Sequence, residues 1–166
     1  FAVSEQYNVR GLPTTFFIQV AEGLVALGEG KILEGQRALL NAADIEQKQR
    51  DKYQFQNDPP SQPWPVMRLL GDHYRGQGDH KLAIECYERA VKNEPNDGFA
   101  LSGLALSHFA TGNKEKAEHF AGRLAYVWSQ ADKGLKWLTD VEKLGLKTKP
   151  IAETPEKERT YRPAEL

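Results

Sequence analysis

Four histidines, His73, His80, His108 and His119, and a single cysteine, Cys86, are the side chains whose chemistry would be most telling in this sequence. A zinc site needs nitrogen or sulfur ligands grouped at short, paired spacings. His73 and His108 instead fall on different expected helices, with no cysteine or carboxylate at ligand spacing. Asp72 and Glu85 lie near histidines, yet no neighbouring set of nucleophile, base and orienting group can be assembled. The run Gly28-Glu29-Gly30 lies after an expected hairpin and lacks the lysine and hydroxyl residue of a phosphate-binding loop. Cys86 has no second cysteine to pair with, and its place within an apolar helical pattern gives it a packing role. No catalytic residue, metal or cofactor is therefore expected.

The elements around these residues carry more information. In 64–97, WPVMRLLGDHYRGQGDHKLAIECYERAVKNEPND, Leu70, Gly71 and Tyr74 form the inner face of one helix. Gly78-Asp79 breaks it, Ala83, Tyr87 and Ala90 follow on a facing helix, and Pro95 closes the unit. The segment 98–131 repeats the plan: Leu104-Ala105, Gly112-Asn113, Ala117 and Leu124 take the corresponding places. Small residues at 71 and 105 let paired helices approach closely. Gly78 and Gly112 permit the left-handed backbone that ends a helix, and Asp79 and Asn113 can cap the next one. Two copies at a period of about 34 residues resemble the tetratricopeptide repeat. The second copy is looser, with Ala121 in the place of Tyr87 and Ser129 in that of Pro95, and is expected to be the last of its array.

That resemblance implies a concave groove lined by the first helix of each hairpin. Its positions here would be Arg68, Asp72 and Arg75, then Ser102, Leu106 and Phe109. Two arginines beside an apolar patch suit a polypeptide partner bearing an acidic group and a hydrophobic anchor. Asp72 stands where carboxylate-binding repeats want an amide, so an acidic peptide terminus is not the expected ligand. The rest of 64–146 is expected to be a capping helix within 132–146, where Leu135, Leu138, Val141 and Leu144 recur at three-residue steps.

Residues 1–46 read differently. Phe1 to Tyr7 is expected to end a helix and Asn8 to Gly11 to turn the chain. Thr14 to Val20, TTFFIQV, has the β-branched and aromatic composition of a buried strand. A turn at Glu22-Gly23 and a second strand over Leu24 to Gly28 would follow, then a helix from Ile32 to Asp44. YNVRGLPTTFFI and GLVALGEGKILEGQRALLNAAD resemble the cis-proline segment, last hairpin and final helix of the thioredoxin family. The resemblance implies that Leu12 and Pro13 present backbone to an extended substrate. The family's Cys-x-x-Cys pair has no counterpart here. Three explanations stand: upstream sequence, favoured here, a domain completed by a partner chain, or a degenerate binding domain.

The fold class expected is thus α+β, the C-terminal part of a thioredoxin-like α/β fold (1–46), a linker (47–63), two repeats (64–97 and 98–131), a capping helix (132–146) and an extended or disordered tail (147–166). Within the linker, Ile45 to Tyr53 can prolong the preceding helix, whereas the three prolines of 58–63 make a stiff spacer. Net charge of −1 over 166 residues, 27% of them charged, argues against nucleic acid as partner. No run reaches the roughly 20 apolar residues of a membrane span. The compartment is undetermined, with the cytoplasm slightly favoured over the periplasm. The order of the two architectures is similar to bacterial thioredoxin-repeat fusions that act as co-chaperones. The function expected is a protein-interaction module that binds a client or partner peptide through the groove, as co-chaperone or assembly scaffold. The alternative is a disulfide oxidoreductase whose cysteines lie upstream.

Overall fold

Glycine placed against glycine organises the first part of the chain. A computed structural model describes residues 12–52, 65–132, 134–146 and 149–152, and in it α1 (Thr14–Gly28) and α2 (Ile32–Lys52) form a helical hairpin. A Cβ on Gly23 would lie 2.7 Å from Cγ of Leu39, and one on Gly35 would lie 2.8 Å from the Gly23 carbonyl oxygen. The helices meet where neither has a side chain. Phe16, Ala26, Leu39, Ala42 and Ala43 fill the remainder of this seam.

The α+β expectation is therefore overturned: among the described residues there is no strand, and those in regular structure are helical. Thr14 to Val20 and Leu24 to Gly28 are one continuous helix, and Gly23, expected in a turn, is buried within it. Strand propensity describes residues that fit a half-buried pleated surface and yields readily to tertiary packing. Phe16, Gly23 and Ala26 share a face at helical spacing, and only a helix presents all three to α2. Pro13 does not enter a strand either. It is the residue before α1, with φ −65° and ψ 155°, and its carbonyl accepts the Phe16 N–H at 2.9 Å. No thioredoxin-like domain is supported. The strand-mouth setting expected for Leu12 and Pro13 is absent. The helix end at Phe1–Tyr7, the turn at 8–11 and the proline spacer at 58–63 lie outside the described residues, as do 147–148 and 153–166 of the tail.

The chain divides into two compact units, Phe1–His73 and Tyr74–Leu166, with the boundary inside α3 (Val66–Gly76). In the first unit the Glu46 carboxylate accepts the Val66 N–H at 3.0 Å, satisfying a donor at the start of α3. The second unit contains α4 (His80–Asn93), α5 (Gly98–Ala110), α6 (Lys114–Val127) and the short α7 (Lys136–Glu142). Each long helix begins on a side-chain cap: Asp79 accepts from Leu82 N, Asp97 from Phe99 N and Ala100 N, and Asn113 from Lys116 N. Such caps contribute about 1 kcal/mol each.

Helix α5 is the centre of this unit, packing on α4, α6 and α7. Leu101, Leu104 and Ala105 are fully buried, and a Cβ on Gly103 would lie 2.3 Å from the Tyr87 ring. At the other end Phe99 stands edge-on to Trp128 and to Trp137, with ring centroids 5.1 and 4.9 Å apart. The Trp137 carbonyl also accepts the Ser102 hydroxyl at 3.2 Å, so α7 is fastened to α5 by a ring and a hydrogen bond. Aromatic pairs of this geometry contribute about 0.5–1.5 kcal/mol beyond area burial. Trp137→Ala is accordingly expected to lower the melting temperature of this unit by roughly 5–10 °C, read by thermal circular dichroism. An unchanged melt would show that α7 adds nothing to α5. Finally, residues 149–152 lie on α6: Ile151 N–H donates to the Gly122 carbonyl at 3.1 Å, and a Cβ on Gly122 would lie 2.6 Å from the Lys149 carbonyl.

Candidate functional site

The six residues expected to line a groove fare unequally. Arg68, on the first unit, is only 6% exposed, whereas Asp72 is exposed. On the second unit Arg75 is half-buried and its Nε donates to the Tyr87 hydroxyl at 3.2 Å. Ser102 is fully buried, its hydroxyl spent on the Trp137 carbonyl. Leu106 is half-buried and Phe109 is 40% exposed, one helical turn apart on α5. In the second unit, then, Leu106 and Phe109 form an accessible apolar patch, and Arg75 is the cation of the original set that belongs to the same unit.

A second feature escapes sequence reasoning. Between α4 and α6, over α5, lies a cleft of about 290 Å³ lined by Glu88, Val91, Lys92, Pro95, Leu104, Phe120 and Arg123. Its floor is apolar and its rim carries both signs of charge. Arg123 is 9% exposed, and its guanidinium donates to the Pro95 carbonyl at 2.8 Å. Pro95 is thus more than a helix stop, because its carbonyl anchors α6 to the α4–α5 turn. The one signal in the sequence was an arginine within an otherwise apolar stripe of α6, and its partner, a backbone oxygen, carries no sequence signature.

The chemistry of the titratable groups is structural. Burial pushes the Cys86 thiol up to about 11, so the thiolate that would attack a disulfide is scarce near neutrality. His108 is 4% exposed and stacks parallel on Phe120 with centroids 5.5 Å apart. Burial, with Lys116 adding to it and Glu88 opposing, holds its imidazole below the ordinary histidine range. The folded state therefore prefers neutral His108. Its stabilising effect is complete above the unfolded value near 6.5 and is lost as pH falls below it. His108→Phe is expected to flatten the acid side of the stability profile below about pH 6.5, where the wild-type slope cannot exceed about 1.4 kcal/mol per pH unit for one proton. Urea titrations at several pH values measure this, and parallel profiles would exclude His108 as the titrating group.

The turns decide what kind of helical array this is. At Gly78 and Gly112, with φ +82° and +79°, the glycine N–H bonds the carbonyl three residues back and the next N–H bonds that of five residues before it. The two turns are 34 residues apart, and Ala83 and Ala117 follow each at the same distance, both fully buried. Residues 68–134 match the family model of the tetratricopeptide repeat. The tetratricopeptide region so defined takes in α4, α5 and α6 and most of α3, with Phe109 and Phe120 inside it. Tetratricopeptide repeats generally mediate contacts between proteins. A comparison with curated proteins finds no match. No helix among the described residues is long and apolar enough to cross a membrane.

Proposed function

We infer that the chain is a protein-binding module whose tetratricopeptide region takes an extended polypeptide partner along α5, with an apolar side chain of the ligand resting on Leu106 and Phe109. The observation that carries this reading is the exposure of Phe109 beside half-buried Leu106, on a helix whose other sides are covered by α4, α6 and α7. Phe, with its large apolar face and few rotamers, makes an effective anchor for such contacts. Arg75 supplies positive charge in the same unit, which favours ligands that pair an acidic group with the anchor. Arg68 and Ser102 are withdrawn from the ligand set by burial. A role as client-binding co-chaperone or as an assembly scaffold would use the same contacts.

The test is a fluorescence-anisotropy screen of the full chain against arrayed peptides that combine one large apolar residue with one acidic residue. Selected peptides are expected to bind Phe109→Asp at least tenfold more weakly when both proteins are measured well below their melting temperatures, since Phe109 is 40% exposed and its replacement also lowers stability. Equal binding by the two proteins would remove α5 as the recognition helix. The oxidoreductase alternative has lost its foundation with the thioredoxin-like fold, since its cysteines were to come from the remainder of that domain.

A further inference from the structure

The turn between α1 and α2 repeats the two tetratricopeptide turns. Gly30 has φ +79°, its N–H bonds the Leu27 carbonyl at 3.1 Å, and the Lys31 N–H bonds the Ala26 carbonyl at 2.8 Å. The corresponding bonds at Gly112 run to Phe109 and His108, at 3.0 and 2.9 Å. Aligning the hairpins on these glycines brings Gly23 onto Ala105, Gly35 onto Ala117 and Leu39 onto Ala121, every one of them buried. The α1–α2 hairpin is thus built in the register of α5–α6.

That register exposes a difference. In the second unit the cleft of Leu104, Phe120 and Arg123 has its opposite wall made by Glu88, Val91 and Lys92 of α4. The counterparts in α1–α2 are Glu22, Ala38 and Asn41, and all three line a cleft of about 470 Å³. Here the described lining residues all belong to the hairpin itself. Ala100 and Ser107 of α5 are fully buried, while their counterparts Ile18 and Val25 are 48% and 59% exposed. Among the described residues, no helix is seated on the face of α1 that corresponds to the one on which α5 seats α4.

We propose that the α1–α2 face centred on Ile18, Ala21 and Val25 is a docking site for an amphipathic helix of a partner protein, one that carries a small residue at the crossing and basic residues beside it. This deepens the protein-binding reading above and rests on it. The occupant's shape follows from the seated pair in the second unit, where Gly103 leaves room for the Tyr87 ring. Ala21 occupies that place in α1, and its methyl group denies an aromatic ring the same seat, so glycine or alanine must cross there. Its charge follows from the rim, where Glu22, Glu29 and Glu34 face Lys31 and Arg37, and Lys31 is already held by Glu29 at 2.8 Å. The acidic excess favours lysine or arginine on the incoming helix. Helix-in-groove recognition of this kind reads apolar positions at helical spacing.

The probe is a side-chain-stapled peptide of residues 79–97, the segment that supplies the seated wall in the second unit, carrying Glu85→Lys and Glu88→Lys to meet the acidic rim and made in two versions that differ at the aromatic position. The Tyr87→Ala peptide is expected to bind the full chain at least tenfold more tightly than the tyrosine peptide by anisotropy. Amide shifts should gather at Ile18, Ala21, Val25, Ala38 and Asn41. Val25→Glu in the full chain should weaken binding at least tenfold without moving the melt, and Phe109→Asp should leave it unchanged. Failure of both peptides to bind, equal affinity of the two, or insensitivity to Val25→Glu overturns the proposal while leaving recognition by α5 standing. Self-association of the full chain that Val25→Glu abolishes would make a second copy the occupant. Binding that appears only after deletion of residues 1–11 would make the occupant the chain's own first segment. Either result overturns the partner-helix proposal.

Discussion

Gly103→Ala is expected to destabilise the second unit by about 2–3 kcal/mol, the range in which overpacking a filled core falls, and so to lower its melting temperature by roughly 10–20 °C. The added methyl group would meet ring atoms of Tyr87 at 2.3–2.7 Å. The ring cannot step aside, because Tyr87 is fully buried and its hydroxyl accepts the Arg75 Nε hydrogen at 3.2 Å. Tyr87→Ala alone should cost about 3–5 kcal/mol through the void it leaves. In the Gly103→Ala background the same change should cost at least about 1 kcal/mol less, since residues in contact do not add. Chemical denaturation of the two single variants and the double variant closes the cycle. Strict additivity would mean that Gly103 and Tyr87 do not meet.

Gly35→Ala should have the second large effect, about 2–3 kcal/mol, confined to the α1–α2 hairpin. Here the added carbon would lie 2.8 Å from the Gly23 carbonyl oxygen and 2.6 Å from Cγ of Leu27, so backbone as well as side chain must give way. Hydrogen exchange is the suitable measurement: amides of α1 and α2 should lose protection while those of α5 and α6 keep theirs. Gly28→Ala is the matched control. No atom lies within 4 Å of a Cβ at that position, and alanine should stabilise the hairpin by roughly 0.5 kcal/mol through its better helix propensity. Equal loss of protection in both variants would show that the glycine crossing is not what holds this hairpin together.

The tetratricopeptide region was legible because its signals are local. Gly78 and Gly112 mark backbone that other residues avoid, Asp79 and Asn113 accept the hydrogen bonds their types suggest, and Ala83, Tyr87 and Ala90 recur at one face. The α1–α2 hairpin was misread for a physical reason. Thr14, Thr15, Phe16, Phe17, Ile18 and Val20 have the composition of a strand, while the residue that settles the matter, Gly35, acts from the other helix through a contact with Gly23. The same turn glycine is present at Gly30, but the hairpin lies 48 residues before Gly78, outside the 34-residue period that announced the others. In the candidate site, helical spacing placed Leu106 and Phe109 on one side of α5. It gave no sign that α7 would take up Ser102, since the partner is the backbone carbonyl of Trp137.

The pairing of Tyr87 with Gly103 also bears on how such an array can change over generations. Unequal crossing-over, which lengthens and shortens repetitive genes, would join the first copy to a duplicate of itself and set Tyr87 against Leu69, a jammed seam. Doubling the second copy would set Ala121 against Gly103, a hollow one. Either offspring inherits a faulty junction, so the two repeats are bound to their present order.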